Sequence, residues 1–171
     1  IFDMARGFAG EHIAPGAAGW DETGTFPAEV IRKTGELGMA GIYVGEEHGG
    51  SALTRLDATL IFEALSYGCP AVASFLSIHN MVAWMIDSFG SADMRAKWIP
   101  KLTSMQTIAS YCLTEPGAGS DAAALRTSAA RNNSGYILNG AKAFISGGGA
   151  SDLYLVMVRT GSEGPKGVST V

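Results

Sequence analysis

Runs of basic residues are missing from this chain. Its 12 Lys and Arg are scattered among 16 Asp and Glu, for a net charge of −4. That leaves no electrostatic case for nucleic acid or an anionic membrane surface as partner. Charge of either sign is sparse. Only 16% of the 171 residues are charged, against ~25% in an ordinary globular domain. A surface so poor in charge suggests cover by partner segments, and the high Gly and Ala content accounts for part of it. Cysteine is scarce as well. Cys69 and Cys112 are too few for a disulfide framework and lack metal-ligand spacing. Both are expected to be reduced and intracellular. No stretch of ~18 uninterrupted apolar residues occurs, so no transmembrane span is expected. No signal or transit peptide is recognisable. The chain starts at Ile1 rather than Met and stops in Gly167-Val168-Ser169-Thr170-Val171, which reads as an unfinished strand. Both ends therefore look cut from a longer protein.

What is present is apolar: 47% of the residues, in a chain long enough to hide ~70% of its unfolded surface. Phe2, Ala5, Phe8, Ala9 and Ile13 recur at helical spacing. Pro15 and Gly16 are expected to end that helix, with Trp20-Asp21 and Thr23-Gly24 as a polar link. A second helix is expected near Thr25-Phe26-Pro27, where proline suits the first turn. Val30, Ile31, Leu37 and Met39 supply its buried side, and Gly38 and Gly41 break it. Residues 40–44 read as a short extended run. His48, in the loop after it, reads as a solvated turn residue. Thr54 with Asp57 predicts a box-like cap on a helix with Leu56, Leu60, Ile61, Ala64 and Leu65 inward. Residues 71–89 read as a central helix, apolar almost all round. Its His79 and Asn80 read as a hydrogen-bonded polar pair in the core. Ser91 caps a further helix over residues 92–102, with Met94, Trp98 and Ile99 inward.

The apolar period then falls to two. Strands are expected at 108–113, 123–130, 136–138, 143–146 and 153–159. Turns are expected at Asn132-Asn133-Ser134-Gly135 and at Asn139-Gly140. Helices first and strands second make an α+β chain: a helical part over residues 1–105 and a β part over 106–171.

Chemistry concentrates where the first strand stops, in Tyr111-Cys112-Leu113-Thr114-Glu115-Pro116-Gly117-Ala118-Gly119-Ser120-Asp121. Pro116 cannot donate to a ladder and halts the strand. The glycines let a ligand approach the backbone. Free N–H groups beside a serine hydroxyl then make an anion cradle.

These eleven residues closely resemble the signature of the acyl-CoA dehydrogenase family, flavoproteins that oxidise acyl-CoA thioesters to 2-enoyl-CoA. Lys142-Ala143-Phe144-Ile145-Ser146-Gly147 resembles the family's second flavin-contacting strand, and Ile137-Leu138-Asn139-Gly140 its preceding hairpin. The resemblance runs from about Phe2 to Val171. It implies an N-terminal all-α helical domain followed by the start of a β-barrel domain, with a C-terminal helical domain absent from the chain. It implies FAD as cofactor, and a reaction in which a proton leaves the carbon next to a thioester while a hydride passes to the flavin.

By the same resemblance, Tyr111, Leu113 and Thr114 lie against the flavin ring, with their backbone and the Thr114 hydroxyl bonding its polar edge. Gly119 and Ser120 lie near the pyrophosphate, and Ser120 also touches the acyl-CoA. Phe144, with Ile145 beside it, packs on the ring. The Ser146 hydroxyl points toward the reacting nitrogen. No catalytic residue is assigned, since the family's base belongs to the C-terminal domain; Glu115 only shapes the site. The segment Ser77–Gly90, with Phe144-Ile145-Ser146, resembles family members acting on a short branched acyl group, which implies isobutyryl-CoA converted to methacrylyl-CoA in valine breakdown. The resemblance further implies an electron-transfer flavoprotein as partner, a homotetramer, and a bacterial cytoplasm or mitochondrial matrix. Another short-chain acyl-CoA, a flavin monooxygenase of the same superfamily, and a scaffold protein without turnover stand as alternatives.

Overall fold

Helices occupy the first 103 residues and strands follow, in a computed structural model that describes residues 1–171. The first rod is longer than the sequence suggests. Helix α1 (Phe2–Phe8) passes through a π turn (Ala9–Ile13) into α2 (Ala14–Thr23). Pro15 therefore does not end the helix. The wide turn ahead of it puts the proline in the first turn of α2, where its missing N–H leaves no bond unmade. Trp20 to Thr23, expected in a link, are helical. Gly24 closes the rod in the left-handed region, with φ +64°.

Helix α3 (Ala28–Lys33) follows Pro27 and is only six residues long. Leu37 and Met39 lie beyond it in turns; Met39 is buried and Leu37 exposed. The extended run expected at 40–44 forms no strand. Its backbone instead accepts from Ser51, Ala52 and Leu53 at 2.8–2.9 Å, too few bonds for a ladder. His48 sits half-buried in a one-turn 3₁₀ helix, Glu46–His48: the turn is as expected, its full solvation is not.

The capping box forms at the start of α4 (Arg55–Ser66). Asp57 N–H donates to the Thr54 hydroxyl, and Thr54 N–H donates to the Asp57 carboxylate. Leu56 is 69% exposed and Leu60 also faces out. The buried stripe is Ala58, Ile61, Ala64 and Leu65, rotated from the expected one because small alanines let the neighbouring helices approach. Helix α5 (Pro70–Phe89) is the central helix, buried along one broad face from Val72 to Ile86, while Ala71, Ser74 and Ser88 on the other face are exposed; the all-round burial expected of it does not occur. Helix α6 (Ala92–Thr103) starts on the Ser91 cap, but Met94 is 48% exposed rather than inward. No helix is long and apolar enough to cross a membrane.

The polar pair of α5 is fully satisfied. Asn80 accepts from Ile42 N–H and donates to the Met39 and Leu76 carbonyls, at 2.8–2.9 Å. His79 Nδ1 accepts from Ala109 N–H at 3.1 Å, so its Nε2 carries the proton and donates to the Leu102 carbonyl at 3.1 Å. One neutral imidazole thus ties α5 to α6 and to the first strand.

That strand is β1 (Ala109–Cys112), which pairs in parallel with β4 (Leu153–Arg159). Strand β2 (Ser128–Asn132) forms a hairpin with β3 (Gly135–Asn139) across the expected turn, and β5 (Val168–Thr170) pairs antiparallel with β4. The order is β1-β4-β2-β3, so β1 lies at an edge. Three expectations fail here. Residues 123–127 are not strand, because a 3₁₀ turn over Ala122–Ala124 comes first. Asn139-Gly140 makes no hairpin: Gly140, at φ +153°, crosses tightly over Thr127. Residues 143–146 form no strand, because Phe144 takes φ +56°, which breaks the pleat.

The buried imidazole makes the fold acid-sensitive in a defined window. Burial lowers the His79 pKa from 6.5 to about 4, so the unfolded chain takes up the proton first. His79 contributes fully above pH 6.5, and its contribution drains away as pH falls toward 4. Chemical denaturation at stepped pH should show this slope. His79→Ala should remove most of it while costing roughly 2–4 kcal/mol, the scale for stranding buried partners. An unchanged slope in the variant would assign the effect elsewhere.

Candidate functional site

Pro116 and the buried Glu115 shape the end of β1. Glu115 N–H donates to the Ala118 carbonyl and Ala118 N–H donates back, closing the turn. The Glu115 carboxylate is 8% exposed. It accepts from Arg126 N–H at 2.7 Å, Thr127 N–H at 2.9 Å and Lys142 Nζ at 2.8 Å. Burial alone would raise its pKa; these donors outweigh burial and hold it at about 2. Lys142 Nζ also donates to the Leu113 carbonyl at 2.9 Å.

The same lysine opens the second piece of the site. Residues 143–146 run beside β1 in the opposite direction. At one end Ala143 N–H donates to the Thr114 carbonyl at 2.9 Å; at the other, the buried Ser110 hydroxyl donates to the Ser146 carbonyl at 2.5 Å. Between these anchors Phe144 stands 95% exposed on its strained backbone. That leaves one face of a large apolar ring open at the site.

Several donors along this edge are unused within the protein. They are the N–H groups of Leu113 and Thr114, the Thr114 hydroxyl, and the N–H and hydroxyl of Ser146. The carbonyls of Leu113 and Thr114 are taken internally, so the backbone here offers a ligand donors rather than acceptors. Ser146 and Gly147 also line a cavity of ≈ 620 Å³ walled by Trp20, Phe26, Val72 and Phe75.

The expected site residues divide into groups. Thr114, Phe144, Ile145 and Ser146 come together along β1. Leu113 is held to them through Lys142. Tyr111 packs, half-buried, against the core cluster that contains Val82 and Leu155, and burial raises its phenol pKa. Gly119 and Ser120 lie exposed beyond the Glu115–Ala118 turn. A Cβ on Gly119 would meet open space, so the fold itself does not require glycine there. Sequence reasoning missed Ser110, Ser151, Lys142 as the strut for Glu115, and Asp152. Asp152 accepts from Ile108 N–H and from Arg32. Lys142 was the findable one, since a lone lysine between an Asn-Gly and an apolar run invites a search for a carboxylate.

Known proteins give the wider context. The sequence model "Acyl-CoA dehydrogenase, N-terminal domain" matches residues 1–106, and "Acyl-CoA dehydrogenase, middle domain" matches residues 110–171. Mitochondrial isobutyryl-CoA dehydrogenase of Dictyostelium discoideum is 56% identical over 97% of the chain, and that of Bos taurus 53% identical over 98%. The chain spans 40% of the length of each. Among solved structures, a probable acyl-CoA dehydrogenase from Mycobacterium abscessus superposes with TM-score 0.91 at 37% identity, over 99% of this chain and 46% of that one. A glutaryl-CoA dehydrogenase from Mycobacterium smegmatis in complex with FADH2 superposes with TM-score 0.86 at 30% identity, over 92% of this chain and 41% of that one.

The buried pair yields a test of its own. Glu115→Gln or Lys142→Met alone leaves one charge buried without its partner and should cost ~3–5 kcal/mol. The double variant Glu115→Gln with Lys142→Met should cost clearly less than the sum. Additive losses in a denaturant double-mutant cycle would refute the coupling.

Proposed function

The chain belongs to the acyl-CoA dehydrogenase family, and on that premise we propose that the whole protein is an FAD-dependent dehydrogenase of a short branched acyl-CoA. The observation that carries this reading is the row of unused donors at Thr114 and Ser146 beside the exposed Phe144 ring. Such a row fits the polar edge of a flat ring, and Phe144 supplies a face for it to pack on. Tyr111, Leu113, Thr114, Phe144, Ile145 and Ser146 are the residues that would hold FAD; Gly119 and Ser120 would meet its pyrophosphate, and Ser120 the acyl-CoA. FAD, when bound, supplies the hydride acceptor.

The residues present act by orientation and by hydrogen-bond donation. Donors fixed before reaction stabilise negative charge as it develops, at no cost of reorganisation. Glu115 is not the base. With its pKa held at about 2 and its oxygens taken by three donors, it is far too weak a proton acceptor at neutral pH. The base is assigned to a glutamate of a C-terminal domain outside residues 1–171. Isobutyryl-CoA is the favoured substrate, on the 53–56% identity to dehydrogenases of that name. An electron-transfer flavoprotein as acceptor, a homotetrameric assembly and a mitochondrial or bacterial cytoplasmic setting complete the reading. We place the boundary between the helical and β domains at about Met105, in the link after α6.

The full-length protein should purify yellow, and isobutyryl-CoA should bleach it without oxygen faster than butyryl-CoA does. Thr114→Val and Ser146→Ala should each slow bleaching roughly 100-fold, the low end for losing one oriented donor. A colourless protein that takes up no FAD ends this reading. A yellow one that bleaches faster with another acyl-CoA moves the substrate and keeps the chemistry.

A further inference from the structure

A second set of hydroxyls lies behind Ser146, in positions that the ligand reading leaves unused. Ser110 is fully buried in β1. Its hydroxyl donates to the Ser146 carbonyl and lies 2.6 Å from the Ser151 hydroxyl. The single proton on Ser110 is committed to the carbonyl, so Ser151 must donate to Ser110. The proton order is thus Ser151 to Ser110 to the Ser146 carbonyl, a chain in which each bond polarises the next.

The backbone around this chain is under constraint. Phe144 and Gly147 hold φ of +56° and +78° on either side of Ser146. A Cβ on Gly147 would fall 2.5–2.7 Å from Ser151 Oγ, Phe75 and Ser110 Oγ, so the loop is pressed against both β1 and α5. Downstream, Gly148 N–H donates to the Ile145 carbonyl, and the N–H groups of Ala150 and Ser151 donate to the Gly147 carbonyl, all at 2.9 Å. A left-handed Phe144 is costly and persists only where its surroundings hold it.

We infer that Ser110, fed by Ser151, is a positioning residue: it clamps the Ser146 carbonyl and thereby sets the direction of the Ser146 hydroxyl and the Phe144 ring toward the ligand. This rests on the flavin reading of the same edge. Ser110 itself touches no ligand. Its effect is to hold the donor and the aromatic face in their bound arrangement before binding occurs.

The test uses the full-length protein and Ser110→Ala, with two readouts. The first needs no flavin: hydrogen exchange of the Gly148, Ala150 and Ser151 amides in apoprotein should quicken at least ~10-fold, as a local opening freed of one hydrogen bond does. The second is FAD itself: its dissociation constant should rise ~10-fold, by the same bond. A role confined to stability would lower the melting temperature and leave FAD affinity unchanged below it. Ser110→Thr, which keeps the hydroxyl, should restore most of both. If Ser110→Ala fails to fold, Ser151→Ala keeps the carbonyl bond while removing its feeder, and should move both readouts in the same direction by about threefold. Unchanged exchange or unchanged FAD affinity in a folded variant of a yellow protein overturns the clamp alone. A wild-type protein that takes up no FAD overturns the clamp and the flavin reading together.

Discussion

A carboxylate almost cut off from water decides how the β part of this chain is arranged. Glu115 can be buried only if its charge is met, and two stretches distant in sequence meet it: the adjacent N–H groups of Arg126 and Thr127, and the Lys142 ammonium. The donors come from two separate pieces of irregular backbone. None of those pieces has a ladder to hold it. The charge substitutes for secondary structure, and it does so directionally, since a carboxylate accepts along defined directions while apolar contacts do not. Pairs of this kind add little net stability over an apolar substitute. What Glu115 and Lys142 contribute is placement: with Lys142 also on the Leu113 carbonyl, the segment after it can start only beside Thr114.

The helical part is fastened to that arrangement by polar groups that leave no partner unmet. His79 spans α5, α6 and β1 with its two ring nitrogens, and Asn80 pins the irregular 39–42 stretch to the next turn. Arg32 reaches the Met105 and Gln106 carbonyls and Asp152, while Asp152 takes Ile108 N–H. The link between the two parts is thus bonded from both sides. Because the wall of the 620 Å³ cavity is drawn from α2, α5 and the Ser146 loop, a shift between the two parts would change its shape. Rigidity in the link is therefore a condition on the site as well as on the fold.

Much of this was legible in the residues. The order of helices before strands, the central helix, the Thr54–Asp57 box, the Ser91 cap and the β2–β3 turn all follow from period and cap chemistry, which are local. The polar pair His79–Asn80 was readable too, because a buried polar group demands partners even when they cannot be named. The failures were of one kind. Pro15 reads as a helix end unless a π turn precedes it, and nothing local announces one. Leu56 and Met94 read as core because periodicity gives a face but not which neighbour covers it. The segment 143–146 alternates like a strand, yet Phe144 leaves the pleat. For the site, the Thr114 and Ser146 hydroxyls were nameable from motif resemblance. Ser110 and Ser151 were not, since a serine inside a strand carries no signal until its partner 41 residues away is placed.

The departure at Phe144 explains why the site sits on irregular backbone at all. A strand at 143–146 would have paired with β1 and consumed, in ladder bonds, some of the N–H groups now left unbonded at Leu113, Thr114 and Ser146. It would also have turned Phe144 to one face of a sheet rather than into the open. One left-handed residue prevents both outcomes. The cost is local strain, and such strain survives only where other contacts over-determine the backbone. Here two anchors do so, the Ala143 N–H on the Thr114 carbonyl and the Ser110 hydroxyl on the Ser146 carbonyl. An edge strand left open in this way is a liability for aggregation unless something occupies it. A flat ligand bearing acceptors along one edge would cover the apolar ring and satisfy the donors at once.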